Sequence, residues 1–75
     1  MEDRIKARRK ADHFTRLANK ATTKVWNTRK PEDFKKAMQA HERAAKEWED
    51  IQKIYPNNVA SSHRRIAVEL KKGIV

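Results

Sequence analysis

The sequence predicts an all-α protein, an antiparallel up-down-up bundle of three helices. One observation is the shortage of turn residues: a single glycine and two prolines are too few for a β-rich fold, which needs a turn about every 8–12 residues. Another is the abundance of alanine, lysine, arginine and glutamate, which favour helix. The third is that apolar residues recur at helical spacings in three segments, which Pro31 and Pro56 separate.

The first helix is predicted over residues 3–27. Its apolar residues follow one another at spacings of four and three and form a continuous seam: Ala7, Ala11, Phe14, Ala18, Ala21 and Val25. Glu2 and Asp3 place negative charge at the positive end of the helix dipole. Pro31 then marks the start of the next helix, because proline is tolerated in a first helical turn.

The second helix is predicted over residues 31–55 and the third over residues 58–72. Pro56 stops the second helix, because proline cannot donate to the helix ladder. Gly73 is expected in the left-handed conformation that commonly ends a helix. Helices of these lengths are not stable alone, and short connections make neighbouring helices antiparallel. All 75 residues are therefore expected to form one three-helix domain.

The charge of the chain is strongly positive and unevenly distributed. Nineteen Lys and Arg residues against ten Asp and Glu residues give a net charge of +9. Residues 1–30 hold ten basic and three acidic groups, whereas the middle of the chain is nearly neutral. Such a field attracts nucleic acid, an anionic membrane or an acidic protein segment. It is equally compatible with an ordinary solvated surface.

Three further features concern the compartment. Cysteine is absent, so the chain has no disulfide, no thiolate metal site and no thiol nucleophile. No apolar run approaches the roughly 18 residues that a membrane span requires. The charged segment Met1–Lys6 lacks the apolar stretch of a signal peptide. These features predict a cytoplasmic protein with no transmembrane segment.

Each helical segment contains one histidine, and together the three could form a metal site. Folding the first helix onto the second about residue 29 leaves His13 about 6 Å along the axis from His41. Folding the second helix onto the third about residue 57 leaves His41 about 15 Å from His63. Three ligands are therefore not expected to meet, and no metal site is predicted.

Catalytic chemistry also lacks a recognisable arrangement. Ser61 and Ser62 adjoin His63, but no acidic residue is placed to orient that histidine. A glycine-rich phosphate loop is missing from the sequence. The chain is therefore expected to be a non-enzyme with no catalytic residues and no cofactor.

Aromatic and basic residues are the remaining binding candidates. Trp48 and Tyr55 lie on the apolar seam of the second helix and are expected in the core, whereas the place of Trp26 beside the first seam stays open. The first helix carries a basic face that could bind the successive phosphates of a nucleic acid or could be an ordinary solvated helix surface. Its members are Arg8, Arg9, Arg16, Lys20 and Lys24.

The segment from Phe34 to Trp48 resembles the second helix of MIT (microtubule-interacting and trafficking) domains. These three-helix modules are attached to ESCRT-disassembling AAA ATPases and related trafficking proteins. Their second helix typically shows an aromatic or aliphatic residue, followed by alanine three residues later, an aromatic residue seven later and alanine ten later. The corresponding positions here are Phe34, Ala37, His41 and Ala44. The junction at residues 54–60 is similar to the corresponding turn of archaeal members, and residues 14–21 resemble their first helix.

The sequence also departs from the MIT pattern. His41 replaces the usual aromatic residue, and the first connection lacks the usual turn glycine. TPR hairpins share the alanine spacings and are a weaker match.

The resemblance implies capture of a short peptide in a groove beside the third helix. A basic rim would favour an acidic, amphipathic peptide or helix. The matching positions are Ala60, His63, Arg64, Ala67, Leu70 and Lys71, with Lys53 and Arg43 as rim charges.

Three alternatives stay open beside this adaptor-like interpretation. The chain could be a basic nucleic-acid-binding protein that uses the first helix and the arginines of the third. It could be a small phage or microbial effector that docks on a host protein. Its alanine-rich seams could also mediate self-association.

Overall fold

The computed structural model describes the backbone of residues 2–73 and the side chains of residues 4–73, and it contains three helices: α1 (Glu2–Thr28), α2 (Pro31–Asp50) and α3 (Val59–Lys72). The described residues include no strand. The predicted all-α three-helix fold is confirmed. The side chains of Glu2 and Asp3, which were expected to face the helix dipole, lie outside the described part of the chain.

The helix α2 is the central element of the fold. Both α1 and α3 pack against it, whereas no Cα atom of α1 lies within 8 Å of a Cα atom of α3 in the described residues. Because each outer helix is antiparallel to α2, the two outer helices run parallel to each other. The Cα atoms extend over 42 × 17 × 12 Å, so the molecule is an elongated slab, and the backbones of its two outer helices stand apart.

The second helix ends at Asp50, five residues before the predicted end at Tyr55. Pro56 disfavours the helical conformation of the residue that precedes it. The amide of Asn57 instead donates to the carbonyl oxygens of Trp48 at 3.3 Å and of Tyr55 at 2.8 Å. Its Oδ1 atom accepts the backbone N–H of Val59 at 3.1 Å, so one side chain satisfies polar groups at the end of α2 and at the start of α3.

The connection between α1 and α2 contains the one described non-glycine residue with positive φ. Arg29 has φ of 53°, and its N–H donates to the carbonyl of Val25 at 2.7 Å. This is the left-handed position that glycine usually occupies after a helix. The hydroxyl of Thr28 donates to Oδ2 of the buried Asp33, and Nζ of Lys24 lies 3.8 Å from Oδ1 of the same carboxylate. These contacts lock the sharp turn to the first turn of α2.

The apolar core consists of two small clusters, one toward each end of the slab. Alanine contributes much of both, so the helices approach closely but bury little apolar area. The first cluster comprises Ala11, Ala45, Trp48, Ile51 and Ala60. The second comprises Val25, Ala37 and Leu70, with Ala21, Phe34 and Met38 packed against it.

The end of α3 differs from the prediction. Gly73 has φ of −78° and ψ of −12°, which is right-handed helical backbone and not the left-handed cap that was expected. Glycine is needed here for a different reason, since a Cβ atom on Gly73 would overlap the ring of Phe34. The missing side chain lets the end of α3 lie directly against α2.

Gly73→Ala is therefore expected to lower the free energy of unfolding by about 1–3 kcal/mol, the usual cost of forcing volume into a packed contact. Urea denaturation followed by circular dichroism measures the change. Lys72→Ala, at an exposed position in the same turn, is the control and should change stability by less than about 0.5 kcal/mol. Equal stability of the two variants would mean that the Phe34 ring moves aside at no cost.

Candidate functional site

His41 and His63 face each other in the middle of the slab, where their Nδ1 atoms lie 2.8 Å apart. The predicted separation of about 15 Å is therefore wrong. Helix α2 ends at Asp50 instead of Tyr55, and residues 51–58 connect it to α3, so the two helices pair in a different register from the one that a simple reversal about residue 57 predicts. His13 stays apart on the exposed side of α1, where its ring meets the edge of Phe14.

Each imidazole also bonds to a threonine of α1. Nε2 of His63 lies 2.9 Å from Oγ1 of Thr15, and Nε2 of His41 lies 2.6 Å from Oγ1 of Thr22. The indole N–H of Trp48 donates to Thr15 at 2.8 Å, and the Thr22 hydroxyl donates to the carbonyl of Ala18 at 3.0 Å. We call this arrangement the threonine–histidine chain; its members are Thr15, Thr22, His41, Trp48 and His63.

The direction of every hydrogen bond in the threonine–histidine chain follows from two groups at its ends, the carbonyl of Ala18, which can only accept, and the indole N–H of Trp48, which can only donate. Because the Thr22 hydroxyl donates to a carbonyl, it accepts from Nε2–H of His41. Nδ1 of neutral His41 then has no hydrogen and accepts from Nδ1–H of His63. Nε2 of His63 is left to accept the hydroxyl of Thr15, which in turn accepts the N–H of Trp48. Two neutral imidazoles thus satisfy all of these polar atoms.

Burial makes protonation of this pair unfavourable. The side chains of His41 and His63 are 1% and 4% exposed. Burial lowers the pKa of His41 to about 4, with the neighbouring His63 contributing, and burial also lowers the pKa of His63. If both rings were protonated to imidazolium, each Nδ1 atom would carry a hydrogen, and the two Nδ1–H groups would point at each other across 2.8 Å. The pair is therefore neutral near pH 7 and almost completely shielded from solvent.

A metal ion would need more ligands than this pair supplies. Among the described residues, no group of three or more His, Cys, Asp and Glu side chains is placed to hold one. The other hydrogen-bond partners of the two rings are the hydroxyls of Thr15 and Thr22, and each hydroxyl also forms a second hydrogen bond.

An apolar cavity of about 540 Å³ lies between α1 and α3, at the end of the slab where α1 finishes. Trp26 and Ile66 stand at its edge and are 67% and 38% exposed. The guanidinium of Arg29 lies 5.6 Å from the centre of the Trp26 ring. We call this site the α1–α3 cavity; it is lined by Thr22, Val25, Trp26, Arg29, Phe34, Arg65, Ile66, Glu69 and Leu70.

A second depression, of about 440 Å³, lies on the other side of α3. We call it the α2–α3 groove; it is lined by Met38, Glu42, Arg64, Ala67, Val68 and Lys71. Its walls are more polar than those of the α1–α3 cavity. A guanidinium nitrogen of Arg64 also forms an ion pair with Glu49 of α2.

The structure redistributes the residues that were predicted to line a groove beside the third helix. Arg64, Ala67 and Lys71 line the α2–α3 groove, and Leu70 lies at the base of the α1–α3 cavity. Ala60, His63, Lys53 and Arg43 line neither site.

Ala60 and His63 are buried in the core, which corrects their assignment to an open groove. Lys53 is exposed in the connection that follows α2. Arg43 lies on the α1 side of α2, where it stacks over Phe14 at 4.9 Å and pairs with Glu47 at 3.3 Å. It is therefore not a rim residue beside α3.

Several residues of the α1–α3 cavity were absent from the sequence-based set. The sequence does not decide the place of Trp26, because this residue lies next to the seam of its helix and not on it. Ile66 falls on the helical spacing of apolar residues in the third segment, which does not distinguish a core position from the cavity edge where it lies. No pattern in the sequence indicates that Arg29 adopts the left-handed conformation that brings it over Trp26.

The predicted basic face of α1 divides into two sets. Arg8 lies 3.8 Å from Asp12 and stacks over Tyr55, while Lys24 lies 3.8 Å from Asp33. The other three members are exposed and lie more than 4 Å from every acidic group in the described part of the chain. They are Arg9, Arg16 and Lys20.

Compared with models of known protein families, with curated proteins and with solved structures, the chain finds no match. In the described residues, none of the helices has the length and apolar character needed to span a membrane.

The threonine–histidine chain makes stability depend on pH. The folded-state pKa of His41, about 4, lies below its ordinary value of 6.5, so the unfolded chain binds protons more readily between these values. Stability is full above about pH 6.5 and falls as the pH drops toward 4. The free energy of unfolding should be lower at about pH 5 than at about pH 7 by on the order of 2 kcal/mol.

Urea titrations at the two pH values measure this difference. His41→Gln and His63→Gln remove the titrating groups and should flatten the dependence, whereas the exposed His13→Gln should keep it. The carboxylate of Asp33, whose pKa is lowered mainly by its hydrogen bond from Thr28, loses its contribution only at lower pH. A dependence that disappears with His13→Gln would refute the assignment.

Proposed function

We propose that the chain is a non-catalytic protein-interaction module that binds a short acidic, amphipathic segment of a partner protein in the α1–α3 cavity. The observation that carries the proposal is the position of Trp26 and Ile66. Two large, exposed apolar side chains flank an apolar cavity of about 540 Å³ on a chain that is otherwise rich in charge. Protein interaction sites typically combine an apolar cavity with a small number of polar groups at its edge.

The apolar part of the cavity can hold an anchoring side chain. Val25, Phe34 and Leu70 form its interior, and the indole of Trp26 provides a flat wall. Burying one leucine-sized side chain of a partner contributes about 1.5–3 kcal/mol. Tryptophan and arginine are also the residues that most often dominate binding energy at interfaces.

The charge at the edge of the cavity selects the partner. Arg29 and Arg65 contribute guanidinium groups, and the acidic lining residue Glu69 is partly compensated by Lys72 at 3.2 Å. The net charge of +9 adds a long-range field that speeds the approach of an acidic partner. An amphipathic segment with apolar anchors and flanking carboxylates fits both features.

The hydroxyl of Thr22, which lines the cavity, is not available as a nucleophile, and this supports a binding role over a catalytic one. Oγ1 of Thr22 accepts from His41 and donates to Ala18, so both of its roles are taken. The imidazoles behind it are buried and neutral near pH 7. General base catalysis requires contact with the substrate proton, which this arrangement does not offer.

The resemblance to MIT domains supports the same kind of function, since it implies peptide capture beside the third helix. A cytoplasmic adaptor fits the cysteine-free, basic composition. A small effector that docks on a host protein would use the same surface and differ only in its partner. The α1–α3 cavity, rather than the α2–α3 groove, is the site we assign, because its walls are apolar and its edge carries Trp26.

Two matched substitutions on α3 distinguish these two sites. Ile66→Asp places a carboxylate at the edge of the α1–α3 cavity, and Val68→Asp places one in the α2–α3 groove. Both positions are exposed, at 38% and 57%, so folding should survive. Ala67→Asp is a poor test, because Ala67 is buried and its carboxylate would break the packing on α2.

The probe is a labelled synthetic helix of about 15 residues with leucines at helical spacing and glutamates between them, which matches an i, i+3, i+4 apolar face. Fluorescence anisotropy should show at least a tenfold loss of affinity for Ile66→Asp, which corresponds to about 1.4 kcal/mol, and less than about a twofold change for Val68→Asp. Circular dichroism checks that both variants stay helical. Loss only with Val68→Asp, or no binding by the native chain, would overturn the proposal.

A further inference from the structure

Three exposed cations lie along one line of α1: Arg9, Arg16 and Lys20. Their spacings of seven and four residues keep them on one side of the helix. Each lies two residues from Ala11 or Ala18, alanines that are fully buried against α2. Two residues correspond to roughly 200° around the helix axis, so the three cations point away from the rest of the molecule. We call this line the outer face of α1.

The structure distinguishes these cations from their neighbours on the same helix. Lys10 lies 3.7 Å from Glu47, in addition to the pairs of Arg8 with Asp12 and of Lys24 with Asp33. Within the described residues, no carboxylate lies within 4 Å of the outer-face cations. All three side chains are exposed, and Asp12, one turn from Arg9 and from Arg16, pairs with Arg8 instead.

We propose that the outer face of α1 binds the phosphate backbone of double-stranded nucleic acid. At a rise of about 1.5 Å per residue, Arg9 and Lys20 lie about 16 Å apart along the axis. Three cations in a straight line over that distance can follow phosphates, whose neutralisation releases condensed counterions. This surface lies on the opposite side of α1 from the partners of that helix, so it is independent of the α1–α3 cavity.

The chemistry of the outer face favours a duplex over the other polyanions. Base stacking on a single strand needs aromatic side chains, and Trp26 lies toward α3 instead of on this line. Insertion into an anionic membrane needs an apolar helix face, but the apolar face of α1 is buried against α2. Ile5 and Leu17 are exposed large apolar side chains on either side of the line, and two isolated side chains are too few for insertion.

The test removes the outer-face charges and compares the result with an equal loss of charge elsewhere. The variant Arg9→Ala/Arg16→Ala/Lys20→Ala loses three charges from α1. The matched variant Lys35→Ala/Lys46→Ala/Lys53→Ala loses three exposed charges from α2 and the connection after it. Alanine favours helix, so both should fold; the corresponding glutamine variants of both sets provide a second comparison.

Binding of a short mixed-sequence DNA duplex is measured by anisotropy over a series of salt concentrations. Three phosphate contacts predict that the outer-face variant reduces the slope of log K against log salt by about 2–3 and loses at least about tenfold in affinity at low salt. The matched variant should change affinity by less than about threefold. Ile66→Asp should bind the duplex as the native chain does, apart from the effect of one added negative charge.

Equal losses in the two triple variants would mean diffuse attraction by net charge and would overturn the proposal. It would also be overturned if the native chain failed to retain the duplex at low salt. Binding to vesicles of anionic phospholipid with no binding to the duplex would assign the surface to a membrane instead.

Discussion

The hydrogen bond between His41 and His63 joins all three helices, because each ring also bonds to a threonine of α1. The apolar clusters on either side consist largely of alanine and allow many close registers of the helices. A shift of α3 by one turn would leave imidazole and hydroxyl groups buried without partners, each at a cost of about 1–3 kcal/mol. The polar chain therefore sets the register, which apolar packing alone leaves loosely defined.

That register also positions the two surfaces to which we assign binding. Because α1 and α3 are bridged by side chains and their backbones stay apart, the space beyond the bridge remains open and becomes the α1–α3 cavity. The same packing brings Glu47 and Asp33 of α2 close to Lys10 and Lys24 of α1. These pairs neutralise the flank of α1 that faces α2, and the outer face keeps its charge.

The fold class and all three helices could be predicted from the sequence, because apolar periodicity and two prolines carry that information directly. The His41–His63 contact could not, since it depends on where the chain reverses after α2. Pro56 is visible in the sequence, but the capping role of Asn57, which lets α2 end early, depends on side-chain geometry. The position of Trp26 at the edge of a cavity likewise follows from the separation of α1 and α3, which no local pattern encodes.

The central place of α2 has a consequence for how the molecule opens. Each outer helix is held by α2 and by side-chain bridges, so either one could detach while the other remains docked. Amide hydrogens of α2 would then exchange only on global unfolding, whereas those of α1 and α3 would exchange through separate partial openings. The shorter α3, with 14 residues, would be the first to leave, and its departure would expose the imidazole pair to water.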